Sequence, residues 1–540
     1  MDSPSEIRFT GAVYTPVEIA KAIVSYVKSI IDPDKALNIL EPSVGDGSFL
    51  KEIFPVFKAV TLTAVDIDKS VIDQLTENIN YFANPISFIT KDFLQYSTSA
   101  LRESAQPFDL IIGNPPFIRK HNFSDEFKNS IKELSEICEY PLKDLKNSWV
   151  AFLIACSRMV SDNGIVALIL PYELMTVDYG QKALHILLMQ FDRIDIVISK
   201  NKAFPDIEQD AVIFVGQKSC KTNGLYVNRV NHMANLSSPE IHKLNFMTQL
   251  GRGLELSAFL LPNNTLDLLR NLQARCASID HYAGSAPGIV SAANDFFILT
   301  KSKVTKLGLQ DYVIPILKKG SYASPSPMFT AHDFSEIEIS SPCYLLNIKE
   351  DFEKIDEKLK AYIKEGEALG LHLRYKCRNR KNWYNVPIVP KELGFVFKRS
   401  HVFPRVCLND ADVYLTDTAY GIRVKDGFTI RGLCFSFYNS LTLLFTETNG
   451  RFYGGGVLEL SPTEFRGLPL VYHEPTDEEF SNFLKIHDGS EENVLSILDF
   501  GDQWLKRKLD LTDEQLIMIR QGWFTVRAHR MRHGSRSNQF

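Results

Sequence analysis

Leu37-Asn38-Ile39-Leu40-Glu41-Pro42-Ser43-Val44-Gly45-Asp46-Gly47-Ser48-Phe49-Leu50 is the stretch that decides the fold of this chain. Leu37 to Leu40 reads as a short buried strand. The residues after it make a glycine-containing turn and open an amphipathic helix, the start of a dinucleotide-type αβ unit. Gly45 and Gly47 permit a tight turn and a close approach of backbone to ligand. The loop lacks the third glycine of the NAD fingerprint, so a ligand without a pyrophosphate fits better. Glu41 suits a cationic amine or a sulfonium.

Working outward, the next strand, Leu62 to Val65, ends in Asp66 and Ile67, about 20 residues past the loop, where an acid commonly takes ribose hydroxyls. The strand Ile86 to Thr90 ends in Lys91-Asp92-Phe93-Leu94. Asp92 there can accept from an adenine amine while Phe93 covers the ring. Each acid taken singly reads equally well as a helix N-cap; capping alone does not explain their succession at strand ends. The apolar run Phe108 to Gly113 then ends in Asn114-Pro115-Pro116-Phe117. The prolines stiffen that turn and have no N–H to commit to secondary structure. The Asn114 side-chain oxygen and the Pro115 carbonyl can both accept from one exocyclic NH2 group, and Phe117 offers a face for a base. The bland alternative is a strand that simply ends in a Pro-Pro loop.

These motifs in this order resemble the γ class of N6-adenine DNA methyltransferases, in particular the TaqI-like and Eco57I-like modification methylases. The matching segments are Phe9 to Pro16, Glu41 to Phe49, Val65 to Asp68, Asp92-Phe93 and Asn114 to Phe117. Ala203-Phe204-Pro205, followed by the strand Asp210 to Val215, is similar to the family segment whose aromatic helps hold a flipped base. In the second half Gly288 to Phe297, Arg378 to Tyr384 and Tyr453 to Leu458 resemble stretches that recur in Eco57I-type enzymes. The resemblance implies S-adenosylmethionine as cofactor, held by Thr15, Glu41, Ser43, Gly45, Gly47, Asp66, Ile67, Asp92 and Phe93. It implies catalysis by Asn114, Pro115, Pro116 and Phe117, and stacking of the target base on Phe117 and Phe204. It further implies double-stranded DNA as partner and a cognate restriction endonuclease alongside, in a restriction–modification or related defence system.

Composition agrees. The chain has 540 residues, 45% of them apolar and 23% charged, ordinary values for a globular protein of two or three domains. No stretch reaches the ~18 apolar residues of a membrane span, and Met1-Asp2-Ser3-Pro4 lacks the basic and apolar regions of a signal peptide. Eight cysteines without a Cys-x-x-Cys pair point to reduced thiols in a cytoplasm and away from a zinc site; no metal is expected.

The net charge of −5 looks wrong for a DNA binder until its distribution is read. Leu371 to Arg405 carries nine Lys/Arg against the single acid Glu392. Tyr375, Trp383 and Tyr384 lie among them, a pattern suited to phosphate and groove contacts. Arg374, Arg378, Arg380, Lys381 and Trp383 are the candidate DNA-binding residues, with Arg378 and Arg380 as base readers. A solvated rim around a core Trp383-Tyr384 pair is the rival reading. The tail from Arg520 onward has five Arg, two His and no acid, a polar tail or a second backbone contact.

The expected architecture is α/β: a doubly wound, Rossmann-like class I methyltransferase domain followed by a mixed α/β target-recognition domain. Residues 1–245 form the catalytic domain, opened by a helix from Pro16 to about Ile31 with Thr15 as N-cap. About seven strands run to Lys218, and a polar connector covers Cys220 to Leu250. Residues 246–475 form the recognition domain, and 476–540 a helical segment, Asp477 to about Gln521, with the basic tail. The expected reaction is direct methyl transfer to N6 of an adenine flipped from the duplex at a cost of ~ a few kcal/mol. Two other readings stay open: a methyltransferase acting on guanine N2 in RNA or a glutamine amide in protein, and a DNA-binding recognition subunit with a relic methyltransferase half.

Overall fold

The computed structural model describes residues 13–77, 85–142, 145–199, 201–202, 204, 210–236, 240–244, 258, 260–324, 326–453, 456–487 and 494–531. They fall into two compact units that divide between Leu260 and Leu261.

The first unit is built on strands β1 (Leu37–Glu41), β2 (Val60–Asp66), β3 (Ile86–Thr90), β4 (Phe108–Gly113), β5 (Val160–Pro171), β6 (Arg193–Ser199), β7 (Ala211–Gln217), β8 (Gly224–Val230) and β9 (Glu240–Leu244). They form one sheet in the order β3-β2-β1-β4-β5-β7-β6-β8-β9. From β3 to β5 neighbouring strands are parallel, and β7 runs antiparallel to both β5 and β6. Helices α1 (Val17–Lys28), α2 (Ser48–Ile53), α3 (Lys69–Glu77), α4 (Phe93–Arg102), α5 (Asp125–Ile137) and α6 (Trp149–Met159) accompany the parallel part. Buried Ile and Leu of β1, β2 and β4 join Ile19, Ile23 and Val27 of α1 in one core. The strand order reverses between β1 and β4, and open α/β sheets bind ligands at such a point, outside the C-terminal strand ends. Glu41 and Asn114 both stand there.

Two expectations about this unit need correction. The polar connector supplies β8 and β9, which lengthen the sheet. Its polarity is partly internal: Asn228 in β8 is fully buried and donates to Asp195 Oδ1 at 2.9 Å, while Arg193 holds the same carboxylate at 2.6 and 2.9 Å. A paired polar cluster inside a sheet reads, one residue at a time, as a loop. In addition, α1 begins at Val17 with Pro16 as its N-cap and no side-chain cap. The Thr15 hydroxyl is engaged elsewhere.

The second unit is mixed α/β. One sheet joins strands Ala283–Pro287, Ala419–Val424, Gly394–Phe397, Val406–Asn409 and Met328–Phe329; another joins Ile298–Leu299, Tyr344–Leu346, Val313–Leu317 and Tyr414–Leu415. The C-terminal helices belong to this unit and do not stand apart from it. The last helix runs to Met531, past the expected Gln521. Arg530 is fully buried and donates to Glu447 at 2.8 and 2.6 Å. Arg520 binds Asp499 at 2.6 Å and Asp502 at 2.7 Å. These arginines of the basic tail are therefore internal ion-pair partners, and residues 532–540 lie outside the described residues. Among the described residues no helix is long and apolar enough to cross a membrane.

Candidate active site

Glu41 closes β1 only 1% exposed, and its Oε2 has no hydrogen-bond partner among the described residues. Burial, reinforced by Asp46 and Asp66, pushes its carboxyl well above the usual range. A buried carboxylate without a counter-charge is costly. Such a group in a ligand-binding crevice marks a place that a cation would complete.

The loop after Glu41 is shaped by its neighbours. Gly45 and Gly47 have φ of +50° and +72°. At Gly47 the positive φ itself disfavours a side chain, and a Cβ there would also push on Leu75 Cδ2 at 2.9 Å. Asp66, at the end of β2, accepts from the Gly45 N–H at 2.9 Å and from the Asp68 N–H at 3.0 Å. Its carboxylate thus ties the glycine loop to the turn after β2, with lone pairs still open to hydroxyl donors. Ile67 beside it is 71% exposed, an apolar surface next to the end of β2. Asp92 is the N-cap of α4, accepting from the Gln95 N–H at 3.1 Å; burial raises its pKa against the pull of the Gln95 and Leu94 amides. The capping reading of Asp92 therefore holds alongside any ligand role.

Phe93 does not lie open over the crevice. It is 3% exposed and stacks on Phe152 of α6 at 4.9 Å, because the first residue of α4 turns its side chain back onto the core. Phe204 is likewise 7% exposed and part of the core cluster of the first unit, the bland reading of that aromatic. Pro205 and residues 206–209 lie outside the described residues.

The loop after β4 is held from three sides. The Asn114 backbone carbonyl accepts from the Ser43 hydroxyl at 3.0 Å, which joins it to the cofactor-type loop. The Asn114 side-chain nitrogen donates to the Val13 carbonyl at 2.9 Å and to Thr15 Oγ1 at 3.2 Å. Further along, Ser148 Oγ donates to the Pro116 carbonyl and accepts from the Ile118 N–H at 2.9 Å. Phe117 is half-buried, so part of its ring stays accessible. Sequence reasoning missed Ser148; its only local signal is its place before α6. Among the described residues no cluster of three or more potential ligands could hold a metal ion.

The residues present fit S-adenosylmethionine. The Glu41 Oε2, without a partner among the described residues, answers a positive charge, the positive-φ Gly45 and Gly47 shape the turn beside it, and Asp66 offers acceptors beside the exposed Ile67.

In the second unit the candidate DNA-binding residues separate into two groups. Arg380 is half-buried and donates to the carbonyls of Val290 (3.2 Å), Ser291 (2.8 Å) and Trp383 (3.2 Å). Lys381 pairs with Asp351 at 2.8 Å. Trp383 packs between Phe296 and Phe297 and donates to Glu367 at 3.1 Å; Tyr384 is core. This corrects Arg380, expected as a base reader, and Trp383, expected as a DNA contact, to braces, because donors folded against the chain are used internally, whereas Lys381 stays exposed in a surface ion pair. Arg380 and Trp383 hold the Gly288–Phe297 segment, so two stretches singled out by resemblance make one structural element. Facing outward are Arg374, Tyr375 (71% exposed), Lys376 and Arg378, with Leu373 beside them. Arg374 spends one donor on the Ala292 carbonyl at 2.8 Å, and the Arg378 guanidinium sits 5.5 Å from the Tyr375 ring. Gly454 and Gly455 lie outside the described residues.

Comparison with known proteins follows this division. Residues 27–204 match the family model "Eco57I restriction-modification methylase", and residues 255–505 match "Type II methyltransferase M.Eco57I, C-terminal domain". The Type II methyltransferase M.AccI of Acinetobacter calcoaceticus is 24% identical over 498 residues, covering 87% of this chain and 88% of its own. A tRNA1(Val) (adenine(37)-N6)-methyltransferase of Haemophilus influenzae is 32% identical over 114 residues, 21% of this chain and 43% of its own. The structure of a DrdV–DNA complex shares the fold, with a TM-score of 0.54 at 12% identity over 90% of this chain and 58% of that one. With both units matched in order and nearly the full length shared with M.AccI, the chain belongs to the Eco57I-type restriction–modification methylases.

Proposed function

We propose that this methylase transfers a methyl group to N6 of an adenine in duplex DNA, using S-adenosylmethionine. The observation that carries the reading is Asn114. Both N–H bonds of its amide are spent on Val13 and Thr15, which leaves the side-chain oxygen as an acceptor, one strand end away from the buried Glu41. An acceptor oxygen followed by a Pro115 carbonyl suits an exocyclic NH2 group. Adenine as its bearer is supported by the N6-adenine activity in the name of the tRNA relative.

When bound, S-adenosylmethionine supplies an electrophilic methyl on a sulfonium. Glu41 balances the donor's positive charge, Asp66 takes its ribose hydroxyls, and Ile67 covers its adenine, with Asp92 accepting from that ring's amine. Adenine N6 is a weak nucleophile because its lone pair is delocalised into the ring. Hydrogen bonds from N6 to the Asn114 oxygen and the Pro115 carbonyl localise the pair and orient it. Their contribution grows as positive charge develops on nitrogen, so they stabilise the transition state more than the ground state. Holding both reactants in one crevice adds the usual gain of proximity.

A paired adenine has to leave the stack, at ~ a few kcal/mol. Phe117 is the proposed platform that offsets part of this, at ~1–3 kcal/mol per stacked base. Contact with DNA falls on Arg374, Tyr375, Lys376 and Arg378, the outward basic and aromatic side chains. A separate restriction endonuclease reading the same site is the proposed partner.

Single-molecule sequencing of DNA from a host expressing the protein tests the reading. N6-methyladenine at one short motif is expected; a modified base other than adenine, or none, refutes it.

A further inference from the structure

We infer that the Val13 carbonyl sets the direction of the Asn114 amide and that Thr15 holds the amide in place, which makes Thr15 a positioning residue for methyl transfer. The inference rests on the reading of Asn114 as the acceptor for the substrate amine.

An asparagine amide has two ends of nearly equal shape and opposite hydrogen-bonding character. Turned by half a rotation about its last bond, Asn114 would present N–H donors to a substrate that itself offers N–H donors, and the site would be dead. The surroundings decide which end faces out. A hydroxyl such as that of Thr15 accepts or donates and so cannot choose alone. A carbonyl only accepts, and the Val13 carbonyl lies 2.9 Å from the Asn114 side-chain nitrogen. The nitrogen therefore faces Val13, because the turned amide would set two acceptors against each other. Thr15 Oγ1, at 3.2 Å, takes the second N–H. Thr15 is only 7% exposed, so no water readily replaces its hydroxyl if that is removed.

The arrangement also explains why Thr15 does not cap α1 although it stands in front of it. The segment that enters the helix is used as a brace across about a hundred residues of sequence, consistent with separations of 101 and 99 residues for the two bonds. Ser43 holds the Asn114 main chain while Val13 and Thr15 hold its side chain, so the backbone and the amide are fixed independently.

The test compares Thr15→Val, which keeps the shape and removes the hydroxyl, with Thr15→Ser, which keeps the hydroxyl. Each is measured on unmethylated genomic DNA with radiolabelled S-adenosylmethionine at saturation, beside calorimetric cofactor binding. Thr15→Val is expected to lower kcat about threefold to tenfold, with the cofactor Kd and both KM values within about twofold of the parent. Thr15→Ser is expected to restore kcat to within about twofold. An unchanged kcat in a folded Thr15→Val variant overturns the inference. So does a variant in which only the cofactor Kd rises, since Thr15 would then serve the cofactor. If the valine variant does not fold, Thr15→Ala against Thr15→Ser makes the same comparison. Asn114→Ala is run in parallel: if it is inactive while Thr15→Val is unimpaired, this inference alone fails. If Asn114→Ala remains active, the reading of Asn114 fails and this inference falls with it.

Discussion

Replacing Glu41 by Gln separates the electrostatic role of the crevice from its shape. Glu41 is 1% exposed and its Oε2 has no partner among the described residues, so in the free protein its charge opposes folding. Its folded-state pKa lies above the unfolded one, with burial as the largest cause. Its contribution to stability is therefore fully present below the unfolded pKa and is lost as pH rises through the folded pKa. Gln removes that loss. The variant without cofactor should gain about 1–3 kcal/mol near neutral pH, the scale of relieving one unsatisfied buried polar group. For a unit of this size that raises Tm by about 2–4 °C per kcal/mol. Cofactor binding should move the opposite way. A charge-assisted contact is worth ~1.5–3 kcal/mol, which corresponds to a Kd weakened about tenfold to a hundredfold. In the parent, a cation that requires the ionised carboxylate must displace its proton. Binding should then weaken as pH falls below the raised pKa and release a proton near it, whereas Glu41→Gln should show neither effect. Titration calorimetry in two buffers of different ionisation enthalpy counts the proton. An unchanged Kd in the variant, together with no proton release in the parent, would refute the argument. A clear fall in Tm would show instead that Glu41 is satisfied within the fold.

The other predictions are narrower. Asp66→Ala removes the acceptor of the Gly45 and Asp68 amides and of the proposed ribose contact; S-adenosylmethionine affinity should drop by ~1.5–3 kcal/mol, and an unchanged calorimetric Kd contradicts the assignment. Arg378→Ala should flatten the salt dependence of DNA binding by about one charge. Arg380→Ala should instead lower stability with the salt slope intact; the reverse pattern would restore Arg380 as a DNA contact. Arg530→Met leaves Glu447 buried without a partner and should cost ~3–5 kcal/mol in urea unfolding, and a loss below about 1 kcal/mol would mean water reaches that pair.

The catalytic half was legible because its signals are local. A strand end followed by an acid or by Asn-Pro-Pro-Phe places a group at the same edge of a parallel sheet wherever the helices lie, and β1, β2 and β4 put Glu41, Asp66 and Asn114 there. The contacts that tune those groups were not legible. The bonds from Asn114 to Val13 and Thr15 join residues about a hundred apart, and the Thr15-Pro16 pair has a local reading, the helix cap, that competes with the true one. Phe93 and Phe204 show the same limit: an aromatic beside a motif has the right chemistry, and only packing tells that its face is covered. In the second unit composition revealed a basic stretch but not which donors were free. Arg380 and Arg378 stand two residues apart with the same chemistry, yet one is folded onto backbone carbonyls and the other faces solvent. Likewise β8 was hidden because Asn228 looks polar until its buried partner Asp195 is known.

Nucleoside mass spectrometry bears most directly on the claim that the Asn114 acceptor directs methyl transfer to adenine N6. DNA is taken from a host without methyltransferases of its own, expressing either the parent chain or an Asn114→Ala variant shown to retain cofactor binding. N6-methyladenine should appear with the parent and be absent with the variant. N6-methyladenine at equal levels from both chains, or a methylated base other than adenine from the parent, would contradict it.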